Sequence, residues 1–396
     1  MRTEVERSPA AVEEVARVRA VEDLGLIGAG PEERFDRITR LAQQVFGVGA
    51  AAVTLIDGRT QHHKSQYGRA LEDGPRATGF CDHTIRNEGI LVVEDATADE
   101  RFSDFPSVTS GQIRFYAGYP LEAPGGHRVG ALCVVHDRPR DFTDADRRML
   151  AELASWAQRE IDRAEELDRA GDVQRALLPR ETLRLPGYDI AGLCLQSGAV
   201  GGDFFDWYTA SDGEVGLTVG DVMGKGLQAA ILMATVRAVM RAGSRVARPA
   251  EAIAAAAAAL HDDLWRTDTL VTLCHARLRP ADGLLRLADA GHGLTLMVRA
   301  DGSVERTGRG GVPLGWPYDA EWPEHTLRLE PGDGVVIFSD GVLELYGGAQ
   351  AAFREVAAVA RTAGTADELV AHLGALAGAL AVLPDDVTVV AVRRTA

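Results

Sequence analysis

Positive charge is in short supply. Lys and Arg number 42 against 58 Asp and Glu, a formal net charge of −16 with a pI near 5.1. A surface for nucleic acid or for an anionic membrane needs the opposite balance, so neither is an expected partner. Long apolar runs are missing too. A spanning helix takes roughly 20 apolar residues, and the longest candidate, Ala250 to Leu260, is Ala-rich and too short. The N-terminal stretch Met1-Arg2-Thr3-Glu4-Val5-Glu6 has no apolar core, so no signal peptide is expected. Cysteine is scarce, and Cys81, Cys133, Cys194 and Cys274 include no C-x-x-C pair. That excludes a disulfide framework and fits buried thiols in a reducing, cytoplasmic setting. There is no G-x-S-x-G elbow. Gly224-Lys225-Gly226 lacks the spacing of a phosphate-binding P-loop.

What is present divides the chain. With 396 residues there is room for two or three domains. Residues 1–30 carry Val12, Val15, Val18, Val21 and Leu24 at helical spacing. Residues 31–160 read as a helix (Phe35, Ile38, Leu41, Ala42, Val45), a strand from Ala50 to Ile56, a short helix from Thr78 to Arg86 and a strand at Leu91-Val92-Val93. A hairpin over Arg114–Leu121 and Val129–Val135 follows, then a helix capped by Thr143-Asp144-Ala145-Asp146. That order predicts an α+β domain. Across residues 150–180, Leu150, Leu153, Ala157, Ile161, Ala164 and Leu167 recur every three or four residues. This predicts one connector helix with the seam of a parallel homodimer coiled coil, interrupted at Gly171; a solvated connector is the plainer alternative. Pro179 ends it. Residues 181–396 change to short strands and glycine turns, with helices at Leu227–Ala242, Ala250–Trp265, Ala351–Arg361 and Ala366–Ala379.

Acids stand at the edges of several apolar runs in this second half. Val215-Gly216-Leu217-Thr218-Val219 runs into Gly220-Asp221-Val222-Met223-Gly224-Lys225-Gly226, an acid at a strand end on a glycine turn, whose Val222 carbonyl is free to face the same way. Gly201-Gly202-Asp203-Phe204-Phe205-Asp206, Ile337-Phe338-Ser339-Asp340-Gly341 and Pro384-Asp385-Asp386-Val387 repeat the theme. One acid in a turn is ordinarily just a turn residue. Several converging acids offer an oxygen-only ligand set, which selects hard cations such as Mg²⁺ or Mn²⁺. Two such ions about 4 Å apart share a carboxylate and activate a water for in-line attack on phosphorus. No protein nucleophile is then required.

Two resemblances sharpen this. Phe80-Cys81-Asp82-His83-Thr84-Ile85, Leu91-Val92-Val93-Glu94-Asp95-Ala96, Arg101-Phe102, Ile113–Gly118 and Gly130–Val135 resemble a GAF domain, a sensor whose pocket ligand the residues do not name. The blocks at Gly201–Asp206, Gly220–Gly226, Ala290-Gly291-His292, Pro313-Leu314-Gly315, Ser339–Val342 and Asp385–Thr388 resemble the protein phosphatase 2C-like serine/threonine phosphatases. They are closest to the stage II sporulation protein E and sigma-factor-regulator branch. Gln174-Arg175-Ala176-Leu177-Leu178-Pro179 resembles the segment preceding that domain.

The resemblance implies an α-β-β-α sandwich. It implies two Mn²⁺ or Mg²⁺ ions, with Asp221 bridging, the Val222 carbonyl adding a ligand, Asp203 on the second ion and Asp340 and Asp385 on the first. Asp386 and Asp206 are implied as outer ligands. His292 marks the branch without a catalytic role, and the substrate implied is a phosphoserine or phosphothreonine on a STAS-type anti-sigma-factor antagonist. Gly347-Gly348-Ala349-Gln350 is implied to shorten a helix or flap. Two other classes stay open: a non-catalytic signalling scaffold, and a metal-dependent phosphodiesterase acting on a small nucleotide. Cys81, Asp82, His83, His62 and His63 suggest a metal or redox site, with a core cysteine and surface histidines the better reading.

Overall fold

The computed structural model describes residues 9–210, 212–243, 248–307, 310–316, 320–380 and 382–395. The Met1–Glu6 stretch therefore lies outside the described residues. The chain divides into two compact units, Met1–Glu166 and Leu167–Ala396.

The first unit is built on a six-stranded antiparallel sheet. Its order is Gly74–Pro75, Thr60–Gly68, Ala50–Ile56, His127–His136, Phe115–Ala123 and Leu91–Val93. The strand side-chain period of two sends Ala51, Val53 and Leu55 to one face and Ala50, Ala52 and Ile56 to the other. Both faces are covered, so Ala50–Ile56 reads as an unbroken apolar run. Helices Pro9–Asp23, Glu33–Phe46 and the start of Asp144–Leu177 cover the first face. The Pro9–Asp23 helix joins that core through Val21.

The Asp144–Leu177 helix begins with a reciprocal cap. The Thr143 hydroxyl accepts from the Asp146 backbone N–H at 3.2 Å, and the Asp146 carboxylate accepts from the Thr143 N–H at 2.9 Å. Two expectations for this helix change. Leu150, Leu153, Ala157 and Ile161 are within 2% of full burial in the first unit's own core, so these four positions of the predicted coiled-coil seam are spent on intramolecular packing, while Ala164 and Leu167 are half-buried. Periodicity reports an apolar face, not which partner covers it. Nor does Gly171 interrupt the helix. A Cβ there would lie 2.1 Å from the Ala199 carbonyl oxygen, so glycine permits a close approach within a continuous helix.

The second unit is two five-stranded sheets. One runs Glu324–Arg328, Leu284–Ala290, Val271–Arg279, Val215–Val222, Phe204–Thr209. The other runs Val304–Thr307, Thr295–Val298, Gly334–Phe338, Val387–Arg394, Tyr188–Leu195. Phe205, Leu217, Val219 and Leu287 of the first sheet share a core with Met297, Ile337, Val390 and Val392 of the second, so the sheets pack face to face. Helices Leu227–Gly243 and Pro249–Arg266 cover the outer face of the first sheet. Ala349–Thr362 and Ala366–Gly378 cover the second. The expected four-layer α-β-β-α sandwich is what forms. Gly347 and Gly348, both at positive φ, make the turn between a five-residue helix, Gly341–Leu345, and Ala349–Thr362.

Candidate metal centre

Four strand ends deliver the acids. Asp203 immediately precedes the Phe204–Thr209 strand, and Asp221 is the penultimate residue of Val215–Val222, one residue beyond the Phe204↔Gly220 pair. In the other sheet Asp340 follows Gly334–Phe338, and Asp385 and Asp386 precede Val387–Arg394. The Ser339 N–H donates to the Thr388 carbonyl at 2.9 Å and holds those two ends side by side. Asp386 ties the sheets together. One of its oxygens accepts from the Ser197 N–H at 2.7 Å and hydroxyl at 2.9 Å; the other accepts from the Gly202 N–H at 2.9 Å and the Asp203 N–H at 3.4 Å.

Glycine makes the approach possible. A Cβ on Gly202 would stand 2.4 Å from the Val222 carbonyl oxygen, and one on Gly201 would stand 2.0 Å from Asp386 Oδ2.

The electrostatics show how close the carboxylates come. Burial, then the Asp340 carboxylate and those of Asp385 and Asp386, push Asp221 up to about 7. Burial and Asp221 together hold Asp203 well above the usual carboxylate range. Asp340 is raised by its own burial and by Asp385. Against these acids stands Lys225, whose Nζ lies 3.0 Å from Asp385 Oδ1 and donates to the Pro384 carbonyl at 2.9 Å.

As the side chains stand, no group of three or more His, Cys, Asp or Glu among the described residues is gathered to enclose an ion. The fit rests on the kind of donors. They are carboxylate and carbonyl oxygens, their charge is poorly compensated, and Asp203 Oδ2 is buried with no hydrogen-bond partner. An orphaned carboxylate oxygen beside a second carboxylate is stabilised by a hard cation.

Two acids differ from expectation. Asp206 faces away from the cluster, with Arg237 at 3.3 Å and Arg241 at 2.5 Å, so it is a buried ion-pair partner of the Leu227–Gly243 helix rather than an outer ligand. Asp386 accepts from loop donors on both oxygens and so holds the Gly201–Asp203 loop, while its charge still reaches Asp203 and Asp221. The Ala290-Gly291-His292 corner is also structural. Asp289 accepts from the His292 N–H at 2.8 Å and the Gly293 N–H at 2.7 Å, and burial pushes the His292 imidazole down to about 4.

One residue escaped the sequence reading. Gln174 is buried at the end of the long helix. Its Nε2 donates to the Gly201 carbonyl at 2.6 Å, and its Oε1 accepts from the Gly201 N–H at 3.0 Å and from Gln196 Nε2 at 2.7 Å. Its signal in the sequence is the Gln174–Pro179 motif.

The suspected cluster in the first unit does not assemble. His62 bonds Asp57 at 2.9 Å, His63 bonds Thr54 at 2.9 Å, and the His83 ring packs on Phe102.

Two packed antiparallel sheets with helices outside, and carboxylates gathered on the loops at strand ends, define the PP2C-type sandwich. Residues 211–395 match the Stage II sporulation protein E (SpoIIE) family and residues 30–161 match the GAF domain family. The chain is thus a GAF domain followed by a SpoIIE-type PP2C domain.

The SiaA-PP2C domain of Pseudomonas aeruginosa matches with a TM-score of 0.50 at 22% identity, covering 60% of this chain and 97% of that one, a likeness of fold. Phosphoserine phosphatase RsbU of Bacillus subtilis is 23% identical over 181 residues, 45% of this chain and 53% of its own. Cyclic di-GMP phosphodiesterase PA2567 of Pseudomonas aeruginosa is 35% identical over 144 residues, 36% of this chain and 24% of its own. The chain thus spans between about a quarter and about half the length of these two curated relatives. Among the described residues no helix is long and apolar enough to cross a membrane.

Proposed function

We propose that the chain is a GAF-regulated, metal-dependent protein serine/threonine phosphatase. The carrying observation is the convergence of Asp203, Asp221, Asp340 and Asp385 at one end of the sandwich, with Asp203 Oδ2 unpaired and Asp221 pushed up to about 7. In this reading Asp203, Asp221, Asp340, Asp385 and the Val222 carbonyl hold two Mn²⁺ or Mg²⁺ ions. When bound, the ions supply the Lewis acidity that activates a water and offsets charge on the phosphoryl oxygens.

The chain's own residues do the rest. The Gly201–Asp203 loop, held by Asp386 and Gln174, fixes Asp203. The strand pairing of Val215–Val222 fixes Asp221 and the Val222 carbonyl. Lys225 stands beside Asp385 on a cavity of about 330 Å³ lined also by Ser197, Gly198, Val200 and Leu383, where the body of a phosphoprotein would rest. The cleaved group would be a phosphoserine or phosphothreonine, and the likeness to RsbU favours a STAS-type anti-sigma-factor antagonist as its carrier. The chain would also act as a homodimer, and a single species at the monomer mass in sedimentation velocity would refute that.

The test is phosphate release from p-nitrophenyl phosphate and from a phosphoserine peptide by the full chain, with Mn²⁺, with Mg²⁺ and with EDTA, and by Asp340→Ala. Turnover that needs metal and is lost in the variant is the expected result. No turnover with any metal by the folded protein would favour the scaffold, and turnover confined to a phosphodiester would favour the phosphodiesterase.

A further inference from the structure

The second face of the GAF sheet encloses a cavity of about 530 Å³, outside the carboxylate site. Glu72, Asp73, Ser110 and Gln112 line it where they are exposed, so it opens to solvent; Cys81, Tyr116 and Cys133 line it where they are buried. Cys81 sits in the first turn of the Phe80–Thr84 helix, and Cys133 in the His127–His136 strand. Gly118, paired with Cys133, makes room between them. A Cβ there would strike the Tyr116 hydroxyl at 2.1 Å and the Thr84 hydroxyl at 2.9 Å.

The Tyr116 hydroxyl touches Cys81 and crowds the Cβ position of Gly118, the cross-strand partner of Cys133, so both thiols face the same gap on the cavity wall. The Tyr116 hydroxyl donates to Cys81 Sγ at 3.4 Å, and Thr54 Oγ1 lies 3.9 Å from Cys133 Sγ and 2.9 Å from His63 Nδ1. A polar chain thus runs from His63, on the cavity wall, to the sulfur pair. Two thiols side by side, at a solvent-entered cavity and with a phenol donor on one of them, are more than core packing asks for.

We propose that Cys81 and Cys133 form a peroxide-reactive dithiol on this cavity, passing between the reduced pair and a Cys81–Cys133 disulfide. The ligand class is a small hydroperoxide, and hydrogen peroxide is the simplest. Cys81 is the attacking sulfur because the Tyr116 hydroxyl donates to it at 3.4 Å, whereas Cys133 has only the 3.9 Å contact with Thr54.

The Cys81 thiol gives up its proton, and its sulfur attacks the O–O bond. One oxygen stays on sulfur as a sulfenic acid, and the other leaves with the proton as water. The Cys133 sulfur then attacks the Cys81 sulfur, the S–O bond breaks, and the hydroxyl leaves with the Cys133 proton as a second water. Two thiols lose two hydrogens, and the peroxide is reduced to two waters. Cys194 and Cys274, in the other unit, are internal controls. Burial pushes both thiols up, and neither lines this cavity.

The test is made on the reduced full chain. Hydrogen peroxide is added, remaining thiols are alkylated under denaturing conditions, and a non-reducing digest is read by mass spectrometry. The expected result is loss of two of the four thiols and of about 2 Da, the hydrogens given up for one disulfide. A cross-linked Cys81–Cys133 peptide accompanies it and reverts with dithiothreitol, while Cys194 and Cys274 stay alkylated. Cys133→Ser should stop at a dimedone-trapped sulfenic acid on Cys81. Cys81 and Cys133 still alkylated at peroxide levels that oxidise methionine, or Cys194 and Cys274 oxidised first, would overturn the proposal. The wild-type map decides this even if a variant misfolds.

Discussion

Removing the Gln174 amide should cost stability and, separately, metal affinity. In Gln174→Ala the Gly201 N–H and C=O both lose their side-chain partner, and Gln196 Nε2 loses its acceptor. Gly201 is buried, as is Gln174 at 3% exposure. A buried backbone group left without a partner costs about 1–3 kcal/mol. Two such groups, less what an entering water recovers, give about 2–4 kcal/mol. The loop so released carries Asp203 two residues on, and loss of an outer-shell support typically weakens metal binding by about 10–100-fold. The assays are urea unfolding in EDTA and a manganese titration of phosphate release on the same preparations. Gln196→Ala, which removes one donor and leaves both Gly201 bonds, should shift the manganese midpoint far less. If Gln174→Ala loses its stability but keeps a wild-type manganese midpoint, the helix end is only a brace, and the argument that it positions Asp203 is wrong.

Asp206→Ala should cost stability alone. Its carboxyl pairs with the mostly buried Arg237 and the third-exposed Arg241, so stability falls by about 3 kcal/mol, at the low end for a broken buried pair, while the manganese midpoint holds. A shifted midpoint would return Asp206 to the metal site. Gly202→Ala forces a methyl against the Val222 carbonyl at 2.4 Å. Overpacking of this kind costs about 1–3 kcal/mol, and turnover should fall more than about tenfold because the moved carbonyl is a proposed ligand. Gly378→Ala, at the end of the Ala366–Gly378 helix with nothing within 4 Å of its Cβ position, is the control, and equal turnover in both variants would refute the close approach.

Acid sensitivity has two opposing sources. Burial pushes His275 down to about 4 from 6.5. The unfolded chain then binds more protons between those values, so this histidine's contribution is intact above about 6.5 and is lost as pH falls towards 4, by about 3 kcal/mol. Asp221, raised to about 7, acts in the opposite sense over the same range, so total stability hides the effect. The difference between wild type and His275→Gln in urea midpoints from pH 7 to pH 4 isolates it. A difference that does not change with pH would mean that His275 is not held neutral.

The acids were legible because each stands where a β-branched apolar run meets a glycine or a turn, a pattern that survives without any contact information. What could not be read was how each acid spends its oxygens. Asp385 and Asp386 are adjacent and alike in sequence, yet Asp385 meets Lys225, while Asp386 is consumed by Ser197, Gly202 and Asp203 from a loop about 190 residues away, a long-range fact that local spacing does not carry. Three strands that the local pattern does not give share a physical reason, whereas Phe204–Thr209 is buried and was hidden by Asp203 just before it and Asp206 within it. Val304–Thr307 and Glu324–Arg328 are sheet edges with partly exposed, polar residues, and Thr60–Gly68 is polar over most of its length. Their hydrogen bonds come from neighbours, and alternation is weak where only part of a face is buried.

The connector shows the same limit from the apolar side. Leu150, Leu153, Ala157 and Ile161 were correctly placed on one face of one helix, and the face is buried, but a heptad-like stripe is equally satisfied by a second chain or by the domain beside it. The choice belongs to the sheet residues Leu55, Phe115 and Leu132, which share the core with that face and lie up to about a hundred residues upstream. An acid cluster is different in kind. Burying several carboxylates together is unfavourable in any fold that offers them no cation or donor. Asp203, Asp221 and Asp340, all raised, remain together at one end of the sandwich. Apolar periodicity thus leaves its partner open, whereas buried carboxylates narrow theirs to what offsets negative charge, in the proposed reading a cation that takes oxygen ligands.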